Sequence, residues 1–429
     1  MNKVKKLLSN VEVSGTIIVT IGLFIAGFLS YALQYVMGNG KLITLSEYGL
    51  FTALLSLSNI LTIPYFAFVK SIIMLISELK AEEKFDTLTN LFWEFNKFLF
   101  FLGILIFFLL VFLKSYISVF LNISDSNMII YFASFIVFSL VGLLPAAYLQ
   151  GLLRFKAFSF FTILSAALRL LFPVILVFFG FGIGGAYIGM GISVVVSFIA
   201  SLFLLKKNFV TYKKQDLKVY YNKFYSFGFS SLLITAGLIL LNNLDVVLVK
   251  HYFNEIDAGI YSGLVTVGKA LLFGTAAVGI VMFPIISGLY AKGENYLKKF
   301  NTLFVIQVAL VVLGTAFFYF FPSFITKLLF KNFEASIEYL PRFSIFMGLY
   351  VLVEFMALFL LAINKLKVYI LLISASLVQY LLIVLFHKNL FQIIDVNIFV
   401  SLVLFLLVLL YHFLYIHPAC AGRPAHNSK

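Results

Sequence analysis

Between Phe98 and Phe112 the chain reads FLFFLGILIFFLLVF, with no charged or amide side chain. Apolar runs of about 18 residues or more, the length that marks a membrane span, recur along the whole sequence. As a helix rising about 1.5 Å per residue, such a run crosses a ~30 Å hydrocarbon layer. Lipid offers no partner for backbone N–H and C=O groups, so a spanning segment is either a helix or part of a closed barrel. Barrel strands alternate apolar and polar residues, and these runs do not. The fold class follows: an all-α polytopic membrane protein. Composition agrees, because 63% of residues are hydrophobic and 11% charged, against about 45–50% and about 25% in soluble domains.

The pattern predicts about 12 transmembrane helices, over 14–36, 48–78, 98–113, 128–150, 159–179, 186–205, 224–249, 260–290, 300–321, 341–362, 368–386 and 396–416. With the N-terminus in the cytoplasm, 21 of the 31 Lys and Arg fall in inner segments, 7 in outer loops and 3 within spans. That bias obeys the positive-inside rule. The expected location is the cytoplasmic membrane of the cell, multi-pass, with both termini cytoplasmic. The net charge of +14 is therefore no sign of nucleic acid. The basic run KKNFVTYKKQDLKVYYNK (206–223) reads as an anchor against anionic membrane lipids. The N-terminal MNKVKKLLSNVEVSG lacks a small-residue cleavage site and reads as a retained tail.

The chain also repeats. EYGLFTALLSL (47–57) resembles DAGIYSGLVTV (257–267), and LQGLLRFK (149–156) corresponds to LAINKLKV (361–368). Six helices per half make both halves enter the membrane in the same sense. The expected organisation is two parallel six-helix lobes around a central cavity, 1–207 and 208–416, a transporter arrangement. The remainder, HPACAGRPAHNSK (417–429), departs in composition from the body and is set aside as an atypical cytoplasmic tail. Segments 79–97 and 291–304 look amphipathic; Phe85, Leu88, Phe92 and Phe95 recur at helical spacing. They read as helices lying on the inner surface.

Enzymatic readings find little support. The longest outer segment, about 322–340, is too short for a catalytic module. The five His are scattered, the single Cys420 excludes a disulfide framework, and no nucleophile is paired with a base. No enzyme activity, metal or cofactor is expected. GLVTVGK (263–269) begins like a phosphate-binding loop, but Ala270 stands where Mg²⁺ needs Ser or Thr, and the flanks read as one apolar helix. No nucleotide is expected as a partner.

Lys269 then belongs with the charges left inside the membrane. These are costly there, at about 2.5–3.5 kcal/mol each on insertion scales, and commonly face a pathway. Arg169, Lys269 and Glu354 fall near mid-membrane, Lys70 near the inner surface and Asp245 nearer the outer one. Arg169 and Lys269 are too deep to snorkel easily and suit an anionic group, Arg as a bidentate fork and Lys as a point charge. Lys70 is a third candidate, unless its stem simply reaches the headgroups. Glu354 and Asp245 are candidates for binding a coupling ion, Glu354 the better by depth; either also suits a structural pair or cap. Gly268, beside Lys269, is expected to leave room for a bulky ligand.

Several stretches carry a resemblance. LSEYGLFTALLSLSNILTIP (45–64), LQGLLRF (149–155), LRLLFPVILVFFGFGIGGAYIG (168–189), LDVVLVKHYF (244–253), DAGIYS (257–262) and FPIISGLYAKG (283–293) stand in order. Together they resemble the polysaccharide biosynthesis and oligosaccharide flippase family, within the multidrug, oligosaccharidyl-lipid and polysaccharide exporter superfamily. The resemblance implies a twelve-helix exporter that moves polyprenyl-(pyro)phosphate-linked oligosaccharide from the inner to the outer leaflet by alternating access, for cell-surface polysaccharide. Its partners would be that lipid-linked oligosaccharide and other polysaccharide-assembly proteins. An ion-coupled multidrug exporter of the same superfamily is the alternative, though the deep cations outnumber the acids. A non-transporting membrane scaffold is another, and it would have no need of Arg169 and Lys269. The basic pattern of a major-facilitator carrier is absent from ELKAEEKFDTLTN (78–90).

Overall fold

The computed structural model describes residues 2–39, 41–209, 232–291, 293–329 and 334–415. The 417–429 tail, Cys420 and most of the 206–223 basic run lie outside them. The chain divides into two compact units, Met1–Leu232 and Leu233–Lys429. The lobe boundary expected at 207/208 stands at the edge of the undescribed 210–231.

Unit 1 holds α1 (Asn2–Gly38), α2 (Leu45–Leu61), α3 (Ile63–Ala81), α4 (Phe85–Phe112), α5 (Lys114–Phe120), α6 (Met128–Gly142), α7 (Leu144–Gly151), α8 (Phe155–Leu176) and α9 (Gly182–Leu205), with a π-helical turn, Val177–Phe181, between the last two. Unit 2 holds α10 (Leu232–Leu241), α11 (Leu244–Tyr252), α12 (Glu255–Ala291), α13 (Leu297–Phe320), α14 (Pro322–Leu329), α15 (Leu340–Ala362), α16 (Val368–Leu385) and α17 (Leu390–Tyr415). No strand occurs among the described residues.

By length and hydropathy, nine described helical stretches can each cross a membrane. The longest, Phe155–Asn208, is two helices, because α8 and α9 pack against each other. Three expected spans are broken. The second divides into α2 and α3 at Thr62, with Pro64 in the first turn of α3. The fourth divides into α6 and α7 at Leu143, with Pro145 in the first turn of α7. The seventh bends by 41° between α10 and α11. Proline supplies no N–H and obstructs the preceding turn, so the first two breaks follow from sequence. Carbonyls near breaks and ends are met by side chains. Tyr65 donates to Leu143 O at 2.7 Å. Ser77 and Lys80 donate to Gly151 O and Leu152 O, at 2.8 and 2.6 Å, where α7 ends. Arg154 donates to Leu204 O and, at 2.8 Å, to Asn208 Oδ1 at the end of α9. Lys80 and Arg154, expected from charge at the inner face, thus act as helix C-terminal caps. At the other end of α2, Thr44 and Glu47 form a capping box.

The pairings inside one unit recur inside the other. α4–α6, α6–α9, α8–α9 and α1–α8 in unit 1 correspond to α13–α15, α15–α17, α16–α17 and α11–α16 in unit 2. Even the tie between the first and fifth spans recurs: Ser159 donates to Ile18 O at 2.9 Å, and Ser376 to Gly237 O at 3.1 Å.

The 79–97 segment is not a separate surface helix. From Phe85 it is the first half of α4, a continuous helix of 28 residues. Its apolar face is buried at Leu88, Leu91, Phe92 and Phe95. Phe92 packs edge-on to Tyr148 of α7 at 4.9 Å, and the Tyr148 hydroxyl donates to Leu88 O at 3.3 Å. Likewise 297–304 opens α13, with Phe300 stacked on Phe359 at 3.7 Å. In both places the amphipathic face meets protein instead of the membrane surface.

Candidate functional site

Each unit carries a distinctive polar feature on its apolar helices. In unit 1 it is Arg169, on α8 one turn before Pro173. The neighbouring Ala166 and Pro173 are buried, whereas the Arg169 side chain is exposed. It opens onto space unfilled by its own unit. Its electrostatic neighbour is the Tyr187 hydroxyl on α9, and no carboxylate among the described residues is paired with it. Tyr187 is itself fixed: its hydroxyl donates to Phe51 O at 2.7 Å. Its ring lies 5.5 Å from Phe132 and 5.8 Å from Phe51. An unpaired guanidinium on a rigid wall can receive an anion bidentately.

In unit 2 the feature is a buried network around Asp245, which is 1% exposed and sits in the first turn of α11, just past the bend. Oδ2 accepts from Tyr261 Oη of α12 at 2.6 Å and from Asn397 Nδ2 of α17 at 3.1 Å. Oδ1 accepts the Val246 N–H at 2.9 Å. Asn397 Oδ1 accepts from Gln379 Nε2 of α16 at 2.8 Å, and the same Nε2 donates to Leu241 O at 3.1 Å. The network therefore joins both sides of the bend to α12, α16 and α17. A helix N-terminus favours negative charge, and here the Asp245 carboxyl group meets it.

Lys269 is half-buried and interacts electrostatically with Asp245. Glu354, also half-buried, interacts with Tyr350 on its own helix, whose hydroxyl donates to Leu238 O at 3.1 Å. Lys269 thus has Asp245 as its charged neighbour. The room expected beside Gly268 is occupied by the ring of Phe343 and by Met347 of α15. The Lys70 side chain lies outside the described residues. Sequence reasoning passed over Tyr187, Tyr261, Gln379 and Asn397. The amides at 379 and 397 carried a signal, since polar side chains inside apolar helices cost free energy unless hydrogen-bonded. Lys250, one residue past the expected end of the seventh span, lies in α11 at 2% exposure and interacts with Glu255. Among the described residues no group of His, Cys, Asp and Glu could hold a metal.

A family profile described as polysaccharide biosynthesis protein matches residues 40–337, well over half of the chain. The chain belongs to the polysaccharide biosynthesis protein family. Solved structures of similar fold are transporters. The lipid II flippase MurJ in an inward closed conformation is 16% identical at a TM-score of 0.71, with 94% of this chain and 89% of that one covered. A multidrug resistance MATE family transporter of the MOP superfamily, outward-facing, is 14% identical at 0.68, covering 95% and 97%. A MOP superfamily transporter from Pyrococcus furiosus, described as having a binding pocket of reverse polarity, is 16% identical at 0.60, covering 92% and 95%. These likenesses place this family member in the MOP transporter fold of two six-helix halves. No curated protein matches its sequence.

Proposed function

We propose that the protein is a flippase for a polyprenyl-(pyro)phosphate-linked oligosaccharide, carrying it from the inner to the outer leaflet of the cytoplasmic membrane by alternating access. Arg169 carries this reading. It is an unpaired, exposed cation deep in an apolar helix, and a lipid phosphate is the anion that would reach that depth with an apolar tail attached. Lys269 is the second proposed phosphate contact, held by Asp245 when no substrate competes; Lys70 is a third by depth. Asp245 is the proposed coupling-ion residue, because its network spans the seventh-span bend and three further helices. Glu354, supported by depth alone, is second. The family and the flippase and exporter folds it resembles favour transport over catalysis.

The test is Arg169→Ala in living cells at matched membrane expression. Lipid-linked oligosaccharide is expected to accumulate in the inner leaflet while surface polysaccharide falls. Normal surface polysaccharide would remove Arg169 from the site and leave multidrug export as the better reading.

A further inference from the structure

Where α1 ends and α8 gives way to the π-helical turn, unit 1 encloses a cavity of about 600 Å³. Its lining is mixed: Lys41, Tyr35 and Asn39 are polar, and Val36, Leu42, Val177 and Phe178 are apolar. Among the described residues no carboxylate lines it. Lys41 is exposed. Phe178, Phe179 and Phe181 expose 73, 70 and 62% of their surfaces on the same turn. Phe side chains left exposed at the end of a spanning helix offer apolar surface for lipid chains to cover.

The backbone has been shaped to make this wall. The connection from α8 to α9 kinks through Gly180 at φ +88° and Gly182 at φ +55°, conformations that a side chain would strain. An added Cβ at either glycine meets nothing within 4 Å, so local packing does not demand them. The turn delivers Val177 and Phe178 to the cavity at the height of Lys41. The site begins eight residues beyond Arg169, about 12 Å further along the helix axis. It is therefore a separate place from the proposed transport site and does not depend on it.

The Lys41 ammonium suits phosphate oxygens. A small free anion would gain nothing from the apolar lining. A lipid uses the cation and the apolar lining at once. We propose that this cavity binds the phosphate headgroup of a net-anionic lipid, its acyl chains lying against the apolar flank of α1, where Phe24 and Phe28 are 75 and 66% exposed.

The purified full-length protein in detergent, labelled with a photoactivatable phosphatidylglycerol, tests this. Crosslinks are mapped to peptides. Wild type is expected to crosslink within 35–42 and 177–178. Unlabelled phosphatidylglycerol should compete, phosphatidylcholine more weakly, and inorganic phosphate not at all at equal concentration. Lys41→Gln should lower labelling there about fivefold, the equivalent of about 1 kcal/mol per cation at a membrane surface. Lys41→Arg should keep most of it. Leu42→Trp, which fills the cavity and leaves Lys41, should abolish it; melting temperatures confirm that each variant is folded. Unchanged labelling in folded Lys41→Gln or Leu42→Trp would overturn the site. Equal competition by phosphatidylcholine would overturn its charge selectivity, and displacement by inorganic phosphate would make it a site for small anions.

Discussion

Tyr261 and Asn397 donate to the same carboxylate oxygen, so Asp245 holds three helices through one atom. A buried hydrogen bond to a charged group is worth about 1.5–3 kcal/mol, and its loss leaves the acceptor partly unsatisfied. Tyr261→Phe is thus expected to destabilise unit 2 by about 2 kcal/mol, read as a lowered midpoint in denaturant titration of the detergent-solubilised protein. An unchanged midpoint would mean that the network is not under load. Lys269→Ala should weaken binding of a polyprenyl-diphosphate sugar more than Lys269→Arg, which keeps the charge and changes only its shape. Equal affinity in wild type and Lys269→Ala would leave this Lys as a structural counter-charge to Asp245. The sequence made the charged members visible, because an acid or a Lys in an apolar helix stands out. It hid their partners. Asn397 is 152 residues from Asp245, and nothing in local spacing ties the two.

At the scale of helices, close approach is concentrated at a few glycines. A Cβ at Gly189 would lie 2.6 Å from Pro173 N and 2.7 Å from Phe172 C, both backbone atoms that cannot step aside. Gly189→Ala is expected to push α9 off α8 and cost about 1–3 kcal/mol, the usual range for overpacking. Gly274 is the control: a Cβ there meets nothing within 4 Å, and Ala is a better helix former than Gly. Folded yield and thermal stability should fall for Gly189→Ala and hold or rise for Gly274→Ala. The reverse order would show that α8–α9 contact is not limiting. Helix existence was legible from hydropathy, and two of the three breaks from Pro64 and Pro145. The role of the amphipathic faces was not. Period tells which face of α4 is apolar, while Tyr148, which covers it, comes from 56 residues after Phe92. The same stripe would suit lipid headgroups or protein.

For the molecule as a whole, orientation is the open physical quantity, and charge decides it. Lys80, Arg154 and Lys207 stand at ends expected to face the cytoplasm, and the C-terminus is expected on the same side. Cys420 is therefore expected to react with a membrane-impermeant maleimide only after the inner face is opened. Labelling in intact cells would reverse the orientation or change the span count. The repeat was faint in sequence, a few residues near positions 47 and 257, yet four helix pairings of one unit recur in the other. Packing preserves which helices touch even after the residues that touch have changed.

That recurrence carries a consequence for how such a chain can be lengthened or shortened. Two halves of like hand can be joined end to end only if the first returns to the face where it began, so its crossings are even in number. Removing one helix from the first half would turn every later segment over and set its basic loops against the positive-inside bias. Removing a hairpin would not. Viable insertions and deletions in this architecture should come as pairs of spans, with single-span changes found only at the extreme C-terminal end, where nothing remains to be inverted.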